Sequence, residues 1–369
     1  MAESPPPSPP PPLLLDPDTW WRRAVIYQIY IKSFADANGD GYGDLRGAIE
    51  RLDYIFQLGV DAVWLCPFYS SPCKDGGYDV ADHRAVDAMY GSLHDAEEFV
   101  SSAHARGIKV IVDIVPNHTS DLHRFFKQAV CTPPGSHEWS RYHCARGRGD
   151  DGQLPPNNWQ SFFGGSAWSP VPVPSPDGGG GGGAAEREGW WYLHLFDESQ
   201  PDLNWQHADV AAEFEETMTF WLQRGVDGFR VDVAPGCVKA KGYPDNVSEA
   251  SPARLLPLLK QLLPFAGDAL PDHNMSHFDQ PGVHDIYRKW RCFIDKCAPP
   301  PSSFPLPPTH PPSSVTPPLQ PMAPVAYSWA KRGCQHSSKC HAMCAPMNST
   351  LASTSAPWAL LGRALSGGG

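Results

Sequence analysis

Three times in this chain a glycine stands directly before a short apolar run: Leu58-Gly-Val-Asp-Ala-Val-Trp64, Arg106-Gly-Ile-Lys-Val-Ile-Val112 and Arg224-Gly-Val-Asp-Gly-Phe-Arg230. Each follows an amphipathic stretch, at residues 45–58, 93–106 and 208–224. A glycine that closes a helix in a left-handed turn and leads into a buried strand is the α-to-β junction of a βα repeat. Residues 25–31 read as one more strand at the front, so four strands alternate with helices. Parallel strands with right-handed crossovers imply a doubly wound sheet or a (β/α)₈ barrel. No G-x-G-x-x-G follows the first strand, which weakens a dinucleotide-binding reading.

The last run carries two charges, Arg230 and Asp232. Side chains two apart in a strand project to the same side. A buried carboxylate beside a guanidinium is held rigidly by charge-assisted hydrogen bonds, which suits a nucleophile. A purely structural ion pair is the plain alternative. Asp113 and Asn117-His118 close the third strand in the same way. Chemistry at the C-terminal ends of parallel strands is the habit of the barrel, and the barrel is the expected fold.

The βα rhythm lapses between Asn117 and Asp209, a region rich in Pro, Gly, Trp and Asn. It is too long for an ordinary βα loop and reads as an excursion domain over the barrel mouth. The glycine tract at 178–183 within it reads as a flexible insertion. The expected organisation is a disordered Pro-rich leader (1–19), the first part of the barrel (20–116), the excursion domain (117–207), the barrel continued (208–295) and a disordered Pro-rich tail (296–369). Cys334, Cys340, Cys344 and His341 or His336 in that tail could bind zinc, but no paired C-x₂-C supports it.

Charge excludes some partners. A net charge of −11 argues against nucleic acid, whose phosphates need a basic face. No stretch reaches the roughly 18 apolar residues that span a bilayer. The leader lacks a basic region and a long apolar core, so it is not read as a secretory signal. Ten cysteines without a framework of spacings fit a reducing compartment. Cytoplasm is the expectation, with a plastid left open.

The residues also resemble a known group. Trp21-Arg-Arg-Ala-Val-Ile-Tyr-Gln-Ile-Tyr30, Ser33-Phe34 and Asp40-Gly-Tyr-Gly-Asp-Leu-Arg-Gly47 look like the start of an α-glucosidase or oligo-1,6-glucosidase of the α-amylase superfamily, glycoside hydrolase family thirteen. Asp113-Ile-Val-Pro-Asn-His118, Gln200-Pro-Asp-Leu-Asn204 and Gly228-Phe-Arg-Val-Asp232 resemble its later signatures, in order, over about residues 20–295. The resemblance implies that Asp232 is the nucleophile of a retaining hydrolase acting on malto- or isomalto-oligosaccharides or sucrose. It implies that Arg230 orients Asp232, that Asp75 and Tyr78 line the subsite for the terminal glucose, and that His118 donates to the same sugar. Asp113 and Asn117 would support the site.

The loop Asp36-Ala-Asn-Gly-Asp-Gly-Tyr-Gly-Asp44 spaces oxygen donors at alternate positions. Asp36, Asn38, Asp40 and Asp44, with the Tyr42 carbonyl, could hold Ca²⁺ or Mg²⁺. An EF-hand would need Glu where Gly47 stands. The resemblance supports a structural divalent ion here, and a solvated acidic turn is the alternative.

A retaining glycosidase needs a second carboxyl group as general acid and base, about 5–5.5 Å from the nucleophile. In the family it closes the fifth strand. Here the helix-like His284-Asp-Ile-Tyr-Arg-Lys-Trp-Arg291 is followed by Cys297-Ala-Pro-Pro-Pro301, and beyond Asp295 there is neither Asp nor Glu. The chain therefore reads as a hydrolase truncated after its fourth barrel strand, with weak or no turnover expected. The competing readings are a non-catalytic carbohydrate-binding protein and a transglycosylase such as a trehalose synthase.

Overall fold

The structure, a computed structural model, describes residues 20–172, 187–246, 276–297 and 360–362. The leader, the glycine tract, the cysteine-rich motif and nearly all of the Pro-rich tail lie outside the described residues.

The glycine-led runs are strands of one sheet. Strands β1 (Ile26–Ile29), β2 (Ala62–Leu65), β5 (Lys109–Ile114) and β9 (Gly228–Val231) lie side by side and parallel, in chain order. Helices Leu93–Ala105 and Ala208–Gln223 cross over between them. The first starts in a capping box, Ser92 accepting from the Asp95 N–H and Asp95 from the Ser92 N–H. At Gly107 and Gly225 the backbone turns left-handed, with φ of +75° and +91°, and the chain leaves each helix for its strand. Asp227 pins the base of two strands: its carboxylate accepts from Lys109 Nζ (2.8 Å) and the Val110 N–H (2.9 Å), and meets His104 Nε2 at 2.7 Å.

Strand alternation splits the side chains. Val110, Val112, Phe229 and Val231 pack in one core with Phe99, Ala103, Phe214, Met218 and Trp221 from the helices. Ala62 and Ile111, on the opposite face, pack with Trp20. Asp113 and Arg230 share that second face by register.

Three details depart from the sequence reading. The stretch at 45–58 forms two helices, Leu45–Glu50 and Leu52–Gln57, which meet at Arg51 (φ −95°, ψ −1°). The loop after β2 carries a hairpin, β3 (Tyr69–Ser70) with β4 (Asp82–Val86). The tail is not irregular throughout, since β10 (Leu360–Gly362) pairs antiparallel with β9. Unpaired N–H and C=O groups along a strand edge accept any short extended segment, which is the physical reason for the last departure.

The excursion holds a second sheet of β6 (Cys144–Arg146), β8 (Trp190–Leu193) and β7 (Trp168–Pro170), antiparallel in the order β6-β8-β7. Its core is Trp159, Ala167, Trp168, Leu193 and Leu195. The chain after β9 reaches back onto this core. Tyr243 places its ring edge-on to Trp159, Trp168 and His143, and its hydroxyl lies 3.0 Å from His143 Nδ1.

Candidate active site

The parallel register sets Asp113 on β5 directly opposite Arg230 on β9. Arg230 Nη1 bridges Asp113 Oδ1 at 2.8 Å and Asp232 Oδ1 at 2.5 Å. The remaining Asp113 oxygen accepts from Trp64 Nε1 (2.9 Å) and the Tyr78 hydroxyl (3.3 Å). The guanidinium lies 4.8 Å from the Trp64 ring centre and 5.8 Å from that of Tyr78, within cation–π range. Asp113 is wholly buried, whereas the Asp232 side chain is 15% exposed. Of the two carboxylates that Arg230 bridges, Asp232 is the one open to solvent.

Electrostatics follow from depth. Burial pushes the Asp113 carboxyl up to about 7, against the pull of Arg230. Burial also opposes the charge on Arg230, but Asp113 and Asp232 outweigh it and hold the guanidinium above its ordinary value. Val233, immediately after Asp232, sits at φ +46°, a left-handed geometry costly for a β-branched residue. The turn is held by the Asp232 N–H donating to Ile114 O (2.9 Å) and the Gly236 N–H to Val233 O (2.8 Å).

A second wall comes from the end of the excursion. Residues 117–119 run antiparallel to 201–203, through the Leu203 N–H to Asn117 O and the Thr119 N–H to Pro201 O. That pairing brings Gln200 against two other groups: its amide nitrogen donates to Asp75 Oδ2 (2.9 Å) and lies 3.1 Å from His118 Nε2. Burial raises the Asp75 carboxyl, with Gln200 opposing, and burial lowers His118, so its imidazole is neutral near pH 7. The Phe196 ring lies 5.2 Å from that of His118, and the half-exposed Phe162 and Phe163 continue the aromatic wall outward.

Beneath this wall lies Lys239, wholly buried. Its ammonium pairs with Asp202 Oδ2 at 2.7 Å and donates to Asn117 Oδ1 at 2.9 Å and to the Gly236 carbonyl.

The structure thus gathers the expected residues into two bonded groups, Tyr78, Asp113, Arg230 and Asp232 in one and Asp75, Asn117 and His118 in the other, with Asp232 near enough to act electrostatically on Asp75 and His118. Sequence reasoning assigned no role to Trp64, Phe196, Gln200 or Lys239. Gln200 stood inside a quoted motif, while Lys239 had no signal beyond its place seven residues after Asp232.

The oxygen-rich loop is separate. Asp36 accepts from the N–H groups of Gly39 (2.6 Å) and Gly41 (2.8 Å), Asn38 from that of Asp40 (2.8 Å), and Asp40 from that of Tyr42 (2.8 Å). Asp44 is buried and caps the next helix through the Gly47 N–H (2.6 Å), its other oxygen taking the Ala37 N–H (3.1 Å). The donor set is hard oxygen and anionic, the chemistry that suits a Ca²⁺ or Mg²⁺ ion. Among the described residues the one group of three His, Cys, Asp or Glu side chains whose ligand atoms converge lies elsewhere, at His137, His207 and Asp209. Its groups are already engaged, since His207 Nδ1 accepts the Asp209 N–H (3.2 Å) and Asp209 Oδ2 takes Arg141 (2.7 Å) and His137 (2.9 Å).

The family model for the α-amylase catalytic domain matches residues 28–300. The chain belongs to the α-amylase family. An oligo-1,6-glucosidase of Heyndrickxia coagulans is 43% identical over 226 residues, which cover 61% of this chain and 38% of that one. A trehalose-6-phosphate hydrolase of Escherichia coli (strain K12) is 46% identical over 228 residues, 62% of this chain and 38% of that one. Among solved structures, an α-glucosyl transfer enzyme superposes with a TM-score of 0.62 at 40% identity, covering 75% of this chain and 48% of the other. The chain thus spans well under half the length of the curated relatives it matches. With this family comes the α-amylase-type barrel, of which β1, β2, β5 and β9 are strands.

Proposed function

We propose that the site binds the terminal glucose of an α-linked gluco-oligosaccharide or disaccharide, with Asp232 as nucleophile toward its anomeric carbon. The carrying observation is the Arg230 bridge, which holds a partly exposed Asp232 carboxylate beside the buried Asp113. Asp75 would grip sugar hydroxyls, Tyr78 would stack on the ring, and His118 would donate to an adjacent hydroxyl. The relatives named as hydrolases of α-glucosides support this substrate class. A second reading, glucosyl transfer to a sugar acceptor, is favoured by the similarity to the α-glucosyl transfer enzyme.

No Asp or Glu follows Asp295 in this sequence, so none of its residues stands at the family's general-acid position. Cleavage of an ordinary glycoside expels an alkoxide, a poor leaving group without a proton donor. α-Glucosyl fluoride removes that demand. Fluoride departs with the bonding pair as an Asp232 oxygen forms the new bond to carbon. The expected result is fluoride release and a glucosyl adduct on the peptide containing Asp232, with maltose turned over poorly and Asp232→Asn inert. Sugar binding without an adduct would favour the non-catalytic binder, and absence of both would end the carbohydrate reading.

We further propose that Asp36, Asn38, Asp40, Asp44 and the Tyr42 carbonyl hold a structural Ca²⁺ or Mg²⁺. An ion that binds only the folded chain stabilises it by about 2.7 kcal/mol at a hundredfold excess over its dissociation constant. A Ca²⁺-dependent rise in melting temperature, lost in Asp36→Asn with Asp40→Asn, is the supporting result. Six cysteines among the described residues are free thiols, which fits a reducing compartment such as the cytoplasm. Among those residues no helix is long and apolar enough to cross a membrane.

A further inference from the structure

His118 stands between two amide nitrogens, Asn117 Nδ2 at 3.0 Å from its Nδ1 and Gln200 Nε2 at 3.1 Å from its Nε2. A neutral imidazole has only one accepting nitrogen. Both amides therefore cannot donate to it, and their relative anchoring decides which does. Amide orientations are assigned from their partners, so the partners matter. The Gln200 amide keeps its partners without His118: its oxygen accepts from the Asp197 N–H at 3.0 Å and its nitrogen donates to Asp75 Oδ2 at 2.9 Å. The Asn117 oxygen accepts from the Lys239 ammonium at 2.9 Å, a group that can only donate. A charge-assisted bond of this kind is roughly twice as strong as a neutral one. Turning Asn117 over would set two donors against each other in a fully buried place.

We propose that Lys239 is a positioning residue that fixes the His118 tautomer through Asn117. Its charge locks the Asn117 amide with nitrogen toward His118 Nδ1, which must accept, and leaves the proton on Nε2. Nε2 is the nitrogen on the side of Gln200 and Asp75, where the proposed function needs a donor to a sugar hydroxyl. The proposal rests on that reading only for its purpose, since the tautomer exists without any sugar. Lys239 touches no ligand in this account and acts through Asn117. Gly236 has a part in the arrangement: a Cβ there would stand 2.6 Å from Asn117 Oδ1, in the path of the ammonium's acceptor.

The test is the long-range ¹H–¹⁵N spectrum of the full chain with labelled histidine, His118 being assigned by loss of its signals in His118→Gln. The expected wild-type spectrum shows a protonated Nε2 and a bare Nδ1. In Asn117→Asp the carboxylate can only accept, so the two resonances should exchange character, with the proton now on Nδ1. Lys239→Met should shift the population the same way, while Lys239→Arg should preserve the wild-type pattern. A wild-type spectrum with the proton on Nδ1 overturns the proposal even if every variant fails to fold. So does a folded Lys239→Met chain that keeps the proton on Nε2. Titration with maltose then separates the two claims. A wild-type tautomer as stated whose Nε2 signal ignores the sugar leaves the positioning role standing and removes the sugar reading.

Discussion

The barrel strands and the excursion after Asn117 are held together by different physics. Around β2, β5 and β9 the core is aliphatic and aromatic side chains meshed between sheet and helices. In the excursion the sheet is small, and its core of Trp159, Trp168, Leu193 and Leu195 is closed by side chains bonded to backbone. Asn157 is the clearest case. Its oxygen accepts from Trp168 Nε1 (2.7 Å) and the Trp159 N–H (2.9 Å), and its nitrogen donates to Tyr243 O (3.1 Å). The barrel supplies rigidity and the charged residues Asp113, Arg230 and Asp232. The excursion supplies Phe196 and Gln200, which enclose one side of the site.

Removing one buried charge partner should therefore do the most damage. Arg230→Ala leaves Asp113 buried with its ion partner gone, a loss of about 3–5 kcal/mol. Urea unfolding is the measurement, and a loss below about 1 kcal/mol would contradict the central place given to this bridge.

The matching change in the excursion is Asn157→Ala. It orphans the buried Trp168 Nε1 and the Trp159 N–H, at about 1–3 kcal/mol for each such group. Hydrogen exchange should show faster exchange at β6, β7 and β8 and unchanged protection along β5. Equal acceleration in both regions would mean that the two behave as one cooperative unit.

Acid should act on both regions through buried histidines, His83 on β4 and His123 at the start of the excursion. His83 and His123 are driven down to about 3, chiefly by burial, with neighbouring His123 and Arg84 adding for the first and Arg124 for the second. Unfolded, they take up protons near 6.5. The unfolded chain thus binds more protons between about pH 6.5 and 3. Stability is full above that window and falls as pH drops through it, by about 1.4 kcal/mol per unit for each histidine. Replacing His83 by Phe should flatten that slope by one histidine's share, read from melts between pH 7 and 5.

How much of this was legible in the sequence follows the same division. The βα junctions announce themselves because glycine and β-branched residues are local signals, and Arg230 with Asp232 follow from strand period alone. The Tyr243 contacts and the Lys239–Asp202 pair depend on residues brought together from distant parts of the chain, and no short window contains them. His118 was named by motif, but its dependence on Asn117, Gln200 and Lys239 is a property of space. The excursion was recognisable only as a loss of rhythm, since its order rests on side-chain bonds such as those of Asn157, which carry no period.

The smallest effect tests the most local signal. Gly107 and Gly225 occupy the same helix-to-strand junction in successive repeats, both at positive φ. At Gly107 an added Cβ would meet nothing within 4 Å, so Gly107→Ala costs only the left-handed backbone, about 1 kcal/mol. At Gly225 the same Cβ would stand 3.1 Å from Val100 Cγ1 and 3.6 Å from His104 Cε1. Val100 belongs to the packed core, and His104 is tied to Asp227 at 2.7 Å, so neither yields freely. Gly225→Ala should therefore cost about twice as much, with the excess read as packing strain rather than backbone preference. Equal losses in urea melts would mean that conformation alone fixes glycine here and that the contact with Val100 relaxes. A larger loss at Gly107 would reverse the ordering and place the strain in the wrong repeat.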